Sequence, residues 1–582
     1  MWTLDTETKG IDGNPLMYPP EMVGCALKHD DEPSQYLQMG DELAVILGSV
    51  WESGEPLLFH NCMFDLCVIN KWLALPFPHW ERVHDTRIMI YLDNPHAPNL
   101  SLKPSGERLL GRKPEEQDEL REWVLANVKN ATKKNWGAHM WKAPFETLAR
   151  YAKQDVDLTK AIYDKLHLHT QMEAYDRERG LLYPLSEATM TGIRVDRNEL
   201  EKELGLAMQS QITCEDKIRT LLKAPGLNPH SGKELAEALD KEGKVSGWET
   251  TPTGKKSTAK KNLMQHINDP ELLQYLLYTS AMQTCIGTFM EPWLEKSTMT
   301  GRLHPNWNQV RTHDGRSKGT RTGRLSSDDP NFQNVPTPFD FVIPDGLLPM
   351  PNMRRFLLPE EGHVWVSRDF RSQEMRLLAH FERGILAEAF RKDPELDPHM
   401  LVKELILQKT GRDLPRKTVK NIGFGVMYGM GMGALAQGIG CDAAEARAMY
   451  EAYMQALPGV RKLQEGTKSR GRMGGAIRTW GGRFYKAEEA REINGNWRSF
   501  EYKLLNYLIQ GSAADQTKEC MLQFFRTRPE NVKFLATVHD EINISVPEGQ
   551  TCDLLRECME LDMFEVPMRT TLEVGYNWGE LV

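Results

Sequence analysis

The sequence predicts an α/β unit at the amino end followed by a larger α+β assembly. Three observations carry this expectation. Residues 1 to about 170 mix short strand-like runs, WTLD and PLLFH, with helical stretches such as TLARYAKQDVDLTKAIYDKL. Residues from about 185 to 300, and again from 396 to 500, are mostly helical in pattern. Between and after them strand alternation returns in HVWVSRDF, FLATVHDEINISV and TTLEVGYNW.

The 582 residues make room for roughly four domains or subdomains at about 150 residues each. No apolar run reaches the ~18 residues a membrane helix needs. Asp5 and Glu7 stand where a secretory signal would carry its basic and apolar regions, so secretion is not expected. The nine cysteines are odd in number, scattered and without a Cys-x2-Cys pair. That spacing gives no zinc site and fits free thiols in a reducing cytosol. The net charge of −9 does not exclude nucleic acid, because binding follows local charge. Residues 301–324 carry Arg302, Arg311, Arg316, Lys318, Arg321 and Arg324 against the single acid Asp314. TGKKSTAKK (253–261) adds four lysines. A solvated face is the ordinary reading of either run taken alone.

The first element, LDTET, places Asp5 and Glu7 on one face of a strand. Two such carboxylates repel unless a cation lies between them. HNCMFD then supplies Asn61 and Asp65, VHDTR supplies Asp85, and RYAKQD puts Tyr151 and Asp155 on one helix face. Four carboxylates converging from separate segments would hold two divalent metals, a pair able to activate water and stabilise the leaving oxygen in phosphodiester cleavage. Tyr151 would orient the water. The order Asp-x-Glu, Asn-x3-Asp, Tyr-x3-Asp resembles the proofreading 3′–5′ exonuclease family. The resemblance implies an RNase H-like α/β domain, with Asp5, Glu7, Asp65 and Asp155 as metal ligands and Tyr151 as the catalytic water-positioning group. Asp157 leaves the Tyr151 face, and Asp85 is expected to be structural or to support the ligands from behind.

Midway along the chain, LPRKTVKNIGFGVMYGMG (414–431) reads as a helix with Pro415 in its first turn. Arg416, Lys420, Phe424 and Tyr428 recur every four residues and share one side. The cations suit a triphosphate, and the aromatics offer flat surfaces to a base. Gly423, Gly425 and Gly429 are poor helix formers. Within this helix they predict close approach of a ligand or of another backbone.

Arg-x3-Lys-x3-Phe-Gly-x2-Tyr-Gly resembles the nucleotide-binding helix of family A (DNA polymerase I-type) DNA polymerases. The likeness extends over nearly the whole chain. TGRLSSDDPNFQNVP (322–336) resembles the family's primer-template segment, SRDFRSQEMRLLAHF its first catalytic motif, LLNYLIQGSAAD (504–515) a palm helix, VHDE its second catalytic motif, and GYNWGE its usual chain end. The implied fold is an exonuclease domain followed by an α+β right-hand polymerase of palm, fingers and thumb. The implied boundaries are 1–175 for the exonuclease, 176–300 for a helical thumb, 301–395 for the first part of the palm, 396–499 for the fingers and 500–582 for the second part of the palm.

Nucleotidyl transfer uses the same two-metal logic as cleavage. By resemblance, Asp369 and Asp540 hold magnesium with the backbone carbonyl of Phe370, and Glu541 supports them. Lys420 acts in catalysis. Arg416 and Lys420 grip the triphosphate, Phe424 packs on sugar and base, Tyr428 marks the template-base pocket, and His399 touches phosphate. Glu374 matches the steric gate that selects deoxyribonucleotides. Arg324, Asn506, Gln510 and His539 line the primer-template. Two Mg2+ are implied at each centre, with Mn2+ as the alternative ion. The partners implied are primer-template DNA and dNTPs, for a monomer that can work with other replication proteins, with no membrane association, in the cytoplasm, that of the host cell for a phage enzyme.

The chain departs from the family pattern at Arg371, Ser372 and Gln373, where Ser-Gln-Ile is common. Phe424 stands where some relatives have Tyr, which implies discrimination against dideoxynucleotides. Asp5 is so near the amino terminus that no separate 5′-nuclease domain is expected, an arrangement resembling bacteriophage replicative enzymes. The 253–261 lysines are expected at a thumb tip and the 301–324 run on a duplex-facing surface. Two other readings compete. A single-subunit RNA polymerase shares the Asp, Arg, Lys, Tyr and Asp framework, but Glu374 and the proofreading motifs argue against it. A nuclease with a non-catalytic DNA clamp would be expected to lack Asp369, Lys420 or Asp540, and all three are present.

Overall fold

The computed structural model describes residues 1–582 except 12–17, 114, 252, 312–318, 337–341, 494 and 551–552. Asp314, Arg316 and Lys318 of the basic run, and Cys552, therefore lie outside the described residues. No helix among the described residues is long and apolar enough to cross a membrane.

The amino-terminal unit is built on a five-stranded mixed sheet. Its strands are β1 (Trp2–Thr8), β2 (Met22–His29), β3 (Gln35–Gln38), β4 (Leu57–Phe59) and β5 (Val83–Asp85), in the order β3-β2-β1-β4-β5. β1 runs antiparallel to β2 and parallel to β4, which is parallel to β5. Thr3, Leu4, Thr6 and Glu7 of the central strand are all buried, so both of its faces are covered. This is the environment of a sheet sandwiched between helices. Three helices matter here: α1 (Cys62–Leu73), α2 (Leu102–Leu110) and α3 (Phe145–Leu166). α3 buries Leu148, Ala152, Val156, Thr159, Ile162 and Leu166, a stripe of three- and four-residue steps. That stripe brings Tyr151 and Asp155 to the carboxyl end of β1.

The long helix α4 (Met172–Thr191) leads out of this unit. Next come α5 (Arg197–Leu221), capped by Asp196, and α6 (Pro270–Thr284), capped by Asp269. They pack through Ser210 Oγ and Tyr278 Oη at 2.6 Å and a Cys214 thiol that donates to the Tyr275 carbonyl. The expected helical character of 185–300 is found. Lys255, Lys260 and Lys261 of the lysine segment are exposed, and Lys256 is paired with Asp240.

The second sheet comprises β6 (His363–Phe370), β7 (Lys533–Val538), β8 (Glu541–Pro547) and β9 (Thr570–Gly575), all antiparallel in the order β7-β8-β6-β9. The register sets Asp369 opposite Glu541. α7 (Gln373–Glu382) follows β6, and then come α8 (Pro398–Thr410), α9 (Arg416–Tyr428) and α10 (Leu504–Thr527). One core joins Val366 and Phe370 of β6, Leu377 of α7, Val419, Ile422 and Val426 of α9, and Ile509 of α10. The apolar side of α9 is thereby fixed, and its Arg416–Tyr428 side faces outward.

Three expectations need correction. Pro415 stands just before α9 rather than in its first turn, because its ψ of 142° is extended. Gly429 does not lie within the helix. It ends it, with φ of 65° in the left-handed region that glycine tolerates best. A Cβ on Gly423 or Gly425 would meet the side chain of Tyr453 or Leu435, whereas one on Gly429 would lie 2.9 Å from the Tyr502 carbonyl oxygen, the expected close approach of another backbone. Much of the 301–324 charge is also spent inside the protein. Arg302 makes a two-bond contact with Glu360, and buried Arg311 donates to the Pro95 and Ala97 carbonyls.

A buried ionic cluster fastens α4 to the second half of the chain. Glu178 accepts hydrogen bonds from Lys518 at 2.6 Å, from Gln309 at 2.8 Å and from Arg483. Arg483 also donates to Asp515. All four charged groups are fully buried, and at such depth a charge is tolerated only when paired. Gly323 makes room for this: with φ of 87°, a Cβ there would lie 2.7 Å from the Arg483 guanidinium.

Candidate active sites

The first centre forms at the carboxyl end of β1, where sheets flanked by helices present their ligand sites. Asp5 and Glu7 come from β1, Asp65 from the first turn of α1, and Asp155 and Tyr151 from α3. Asp65 Oδ1 accepts the Thr6 amide at 2.8 Å and the Thr6 hydroxyl at 2.7 Å, which locks α1 to β1. Burial, then the charges of Asp65, Asp155 and Glu7, hold the Asp5 carboxyl well above the usual carboxylate range. Burial followed by Asp155 and Asp65 does the same to Glu7, and burial takes Asp65 to about 7. Every donor is a hard oxygen, and each acid is more at ease beside a cation than alone. The group therefore fits divalent metal. The acids do not close as tightly as a filled site. Among the described residues, the one trio of metal-type donors within 4.8 Å of one another is His29, Asp30 and Glu55. There the amino-terminal ammonium already sits on both carboxylates.

Neighbouring acids are placed elsewhere. Asp85 caps the helix after β5, accepting the amides of Arg87, Cys62 and Asn61 at 2.8, 2.9 and 3.1 Å. Asp157 turns to Lys28 and Ser34. Asn61 accepts a hydrogen bond from Arg87 at 2.6 Å.

The second centre lies at the end of the second sheet. β7 and β8 are joined by the two-residue turn His539–Asp540, with His539 at φ of 59°. Gln333 braces that turn, accepting the His539 amide at 3.2 Å and donating to the Thr537 carbonyl at 2.6 Å. Asp369 ends the adjacent strand, next to Phe370. Although its side chain reaches solvent, partial desolvation, then Asp540 and Glu541, push its carboxyl up to about 7. Asp540 is pushed up to about 6 by desolvation, against the pull of Arg324. Glu541 points away into a fixed contact, accepting from Ser367 at 2.8 Å and Trp578 at 3.2 Å. Again the donors are oxygens under mutual repulsion, and they fit a divalent ion.

The outward side of α9 connects to this sheet end at Tyr428, which shares Glu374 with Arg324, the cation bearing on Asp540. Phe424 and Tyr428 are stacked with ring centres 5.6 Å apart, and Lys420 Nζ lies 5.7 Å from the Phe424 ring centre. Arg416 donates to Asp397 at 2.7 Å, and Asp397 caps α8 through the His399 and Met400 amides. His399 is buried, with Nδ1 lacking a hydrogen-bond partner, and desolvation lowers it to about 4. It is a neutral imidazole at physiological pH. Glu374 joins two sides of the cleft, accepting from Arg324 at 2.7 Å and from Tyr428 at 2.8 Å. Gln510 also bonds Tyr428, and Asn506 keeps a buried Oδ1 without a partner. The unusual triplet after Phe370 is structural. Arg371 pairs with Glu395, Ser372 starts α7 at φ of 56°, and Gln373 bonds Ala513, Gln516 and Thr517 of α10.

Sequence reading missed Asp397, Gln333 and Lys103, whose ammonium contacts Asp155. Asp397 carried a signal, since Asp before Pro is a common helix start. The other two had none.

The acid shifts set a pH dependence. Folded Asp369 and Asp540 keep protons to about 7 and about 6, whereas unfolded aspartates lose theirs near about 4. Across that window the folded chain binds more protons, so these groups subtract stability as pH rises. A divalent ion takes the deprotonated form. Mg2+ should therefore raise the melting temperature more at pH about 8 than at pH about 6; an equal gain in scanning fluorimetry would contradict this.

The model of DNA polymerase family A matches residues 197–580. DNA polymerase I, thermostable, of Thermus filiformis is 31% identical over 416 residues, covering 69% of this chain and 48% of that protein. DNA polymerase DpoZ of Vibrio phage phiVC8 is 25% identical over 100% of this chain and 95% of its own length. The solved POL domain of Pol1 from M. smegmatis, in complex with DNA primer-template and dNTP, superposes with a TM-score of 0.78 at 23% identity. It covers 99% of this chain and 95% of that one, a likeness of fold. The chain spans about half the length of the bacterial relatives it matches. With the family match running through well over half of its residues, from α5 to the last strand, this chain belongs to DNA polymerase family A.

Proposed function

We propose that the chain is a template-directed DNA polymerase that extends a primer 3′-hydroxyl with deoxynucleotides and corrects itself with a 3′–5′ exonuclease in residues 1–175. The single observation that carries the reading is the link through Glu374, which accepts from Tyr428 of α9 and from Arg324, the cation that bears on Asp540 beside Asp369 at one sheet end. The remaining regions take the roles of thumb (176–300), palm (301–395 and 500–582) and fingers (396–499). Bound Mg2+ would activate the attacking hydroxyl and neutralise charge on the leaving pyrophosphate.

The chain's own residues supply the rest. Asp369, Asp540 and the Phe370 carbonyl hold the ions. Lys420 and Arg416 take the triphosphate, for which Arg416 exchanges its contact with Asp397. Neutral His399 donates a hydrogen bond to phosphate without adding charge. Phe424 and Tyr428 form a flat wall for the incoming base pair. Arg324, Asn506, Gln510 and His539 face the primer-template, and the unpartnered Asn506 oxygen is available to a base edge. In the first centre Asp5, Glu7, Asp65 and Asp155 hold two ions and Tyr151 aligns the water.

Glu374 is the sugar selector. Tied to Arg324 and Tyr428, it has no freedom to retreat from a 2′-hydroxyl. Glu374→Ala is expected to raise ribonucleotide over deoxyribonucleotide incorporation by about a hundredfold, measured as the ratio of kcat/KM values. An unchanged ratio would remove Glu374 from this role. Wild type preferring ribonucleotides would favour the RNA polymerase reading instead.

A further inference from the structure

The acid centre of the amino-terminal unit contains a cation of its own. Lys103 projects from α2 with only 7% exposure. Its ammonium contacts Asp155 Oδ1 and lies 4.6 Å from the Tyr151 ring centre. It counters the mutual repulsion of the acids at both Asp5 and Glu7. The ammonium thus bears on Asp155, Tyr151, Asp5 and Glu7 from one buried position. A carboxylate oxygen that accepts this ammonium cannot at the same time bind a divalent ion at full strength, because the two cations would repel at short range. Lysine suits such a post better than arginine, being a compact charge on a flexible stem rather than a rigid fork.

We propose that Lys103 is a resident counter-cation of this centre: it neutralises the acids when no metal is bound and must leave Asp155 for a divalent ion to be held there, so that it sets the metal affinity of the site. The proposal rests on the exonuclease reading above and goes beyond it. In the metal-free state the lysine offsets part of the repulsion among the carboxylates. It also makes metal entry an exchange of one cation for another. A lysine that instead braced Asp155 for the metal would stay in place when the ion bound.

The two roles give opposite signs. Mn2+ binding to the full chain is measured by calorimetry, and the component belonging to this centre is the part that Asp5→Ala removes. Lys103→Met is expected to tighten that component by about tenfold, leaving the remaining Mn2+ binding and primer extension as they are. Weaker binding would make the lysine a brace, and equal binding would make it a bystander; either result overturns the proposal. A second measurement needs no variant. Saturating wild type with Ca2+ should raise the rate at which an amine-reactive label modifies Lys103 several-fold, read by mass spectrometry, and an unchanged or slower rate overturns the exchange. Should Asp5→Ala remove no Mn2+ binding, the metal-centre reading beneath the proposal falls, and the proposal with it.

Discussion

Asp540→Ala is expected to reduce primer extension by at least about a thousandfold while 3′–5′ degradation of single strands continues. The structure makes this a clean substitution. The strained position of the turn is His539, at φ of 59°, and Asp540 itself needs no special backbone. The brace from Gln333 engages the His539 amide and the Thr537 carbonyl, neither of which involves the Asp540 side chain. Asp540 is also an acid raised to about 6 by desolvation. A carboxylate raised in the folded state costs stability above its unfolded value. Removing it should leave the melting temperature of the metal-free protein unchanged or slightly higher near pH about 8. Loss of extension without loss of stability assigns the defect to chemistry. If extension survived, the second centre would be wrongly placed, and Asp369→Ala would be the next position to test.

The reciprocal variant, Asp5→Ala, is expected to lower 3′–5′ degradation by about a thousandfold or more and to keep extension within about twofold. Asp5 lies on the central strand among three other acids, and its carboxyl is held far above the ordinary range by burial and by their charge. Alanine relieves both penalties, so the variant should fold at least as well as the parent. The two assays on two variants form a double dissociation. Extension lost in Asp5→Ala as well would mean that the centres are coupled. Degradation retained in Asp5→Ala would remove Asp5 from the metal set.

What the sequence disclosed divides along a physical line. Periodicity made α9 legible, since Arg416, Lys420, Phe424 and Tyr428 repeat at the helical step, and the strand alternation of HVWVSRDF placed Asp369 at a strand end. The acids of LDTET were legible because two positions on one strand share a face. Nothing local marked Lys103: a single lysine on a short helix has the same appearance whether it faces water or a buried acid. The brace of Gln333 and the tether of Arg416 by Asp397 span loops, and their pairing belongs to tertiary structure. Two glycines of α9 illustrate the same limit. Their need was visible, but the partner proved to be side-chain packing from Tyr453 and Leu435.

The cluster around Glu178 has a consequence for how the chain reaches its native state. Glu178 is separated by 305 residues from Arg483 and by 340 from Lys518. During synthesis α4 emerges well before them, and its acid has neither partner until residues 483 and 518 have been made. Contacts of such long sequence separation close late and slowly, and large chains assemble through partly folded intermediates. The Glu178 side of α4 is thus expected to dock only when residues beyond 518 arrive, whereas Ala174, Tyr175 and Leu182 of the same helix pack in the core of the first unit. In pulse-labelled hydrogen exchange the amides of α10 should gain protection in a slow phase, well after the amides of β1.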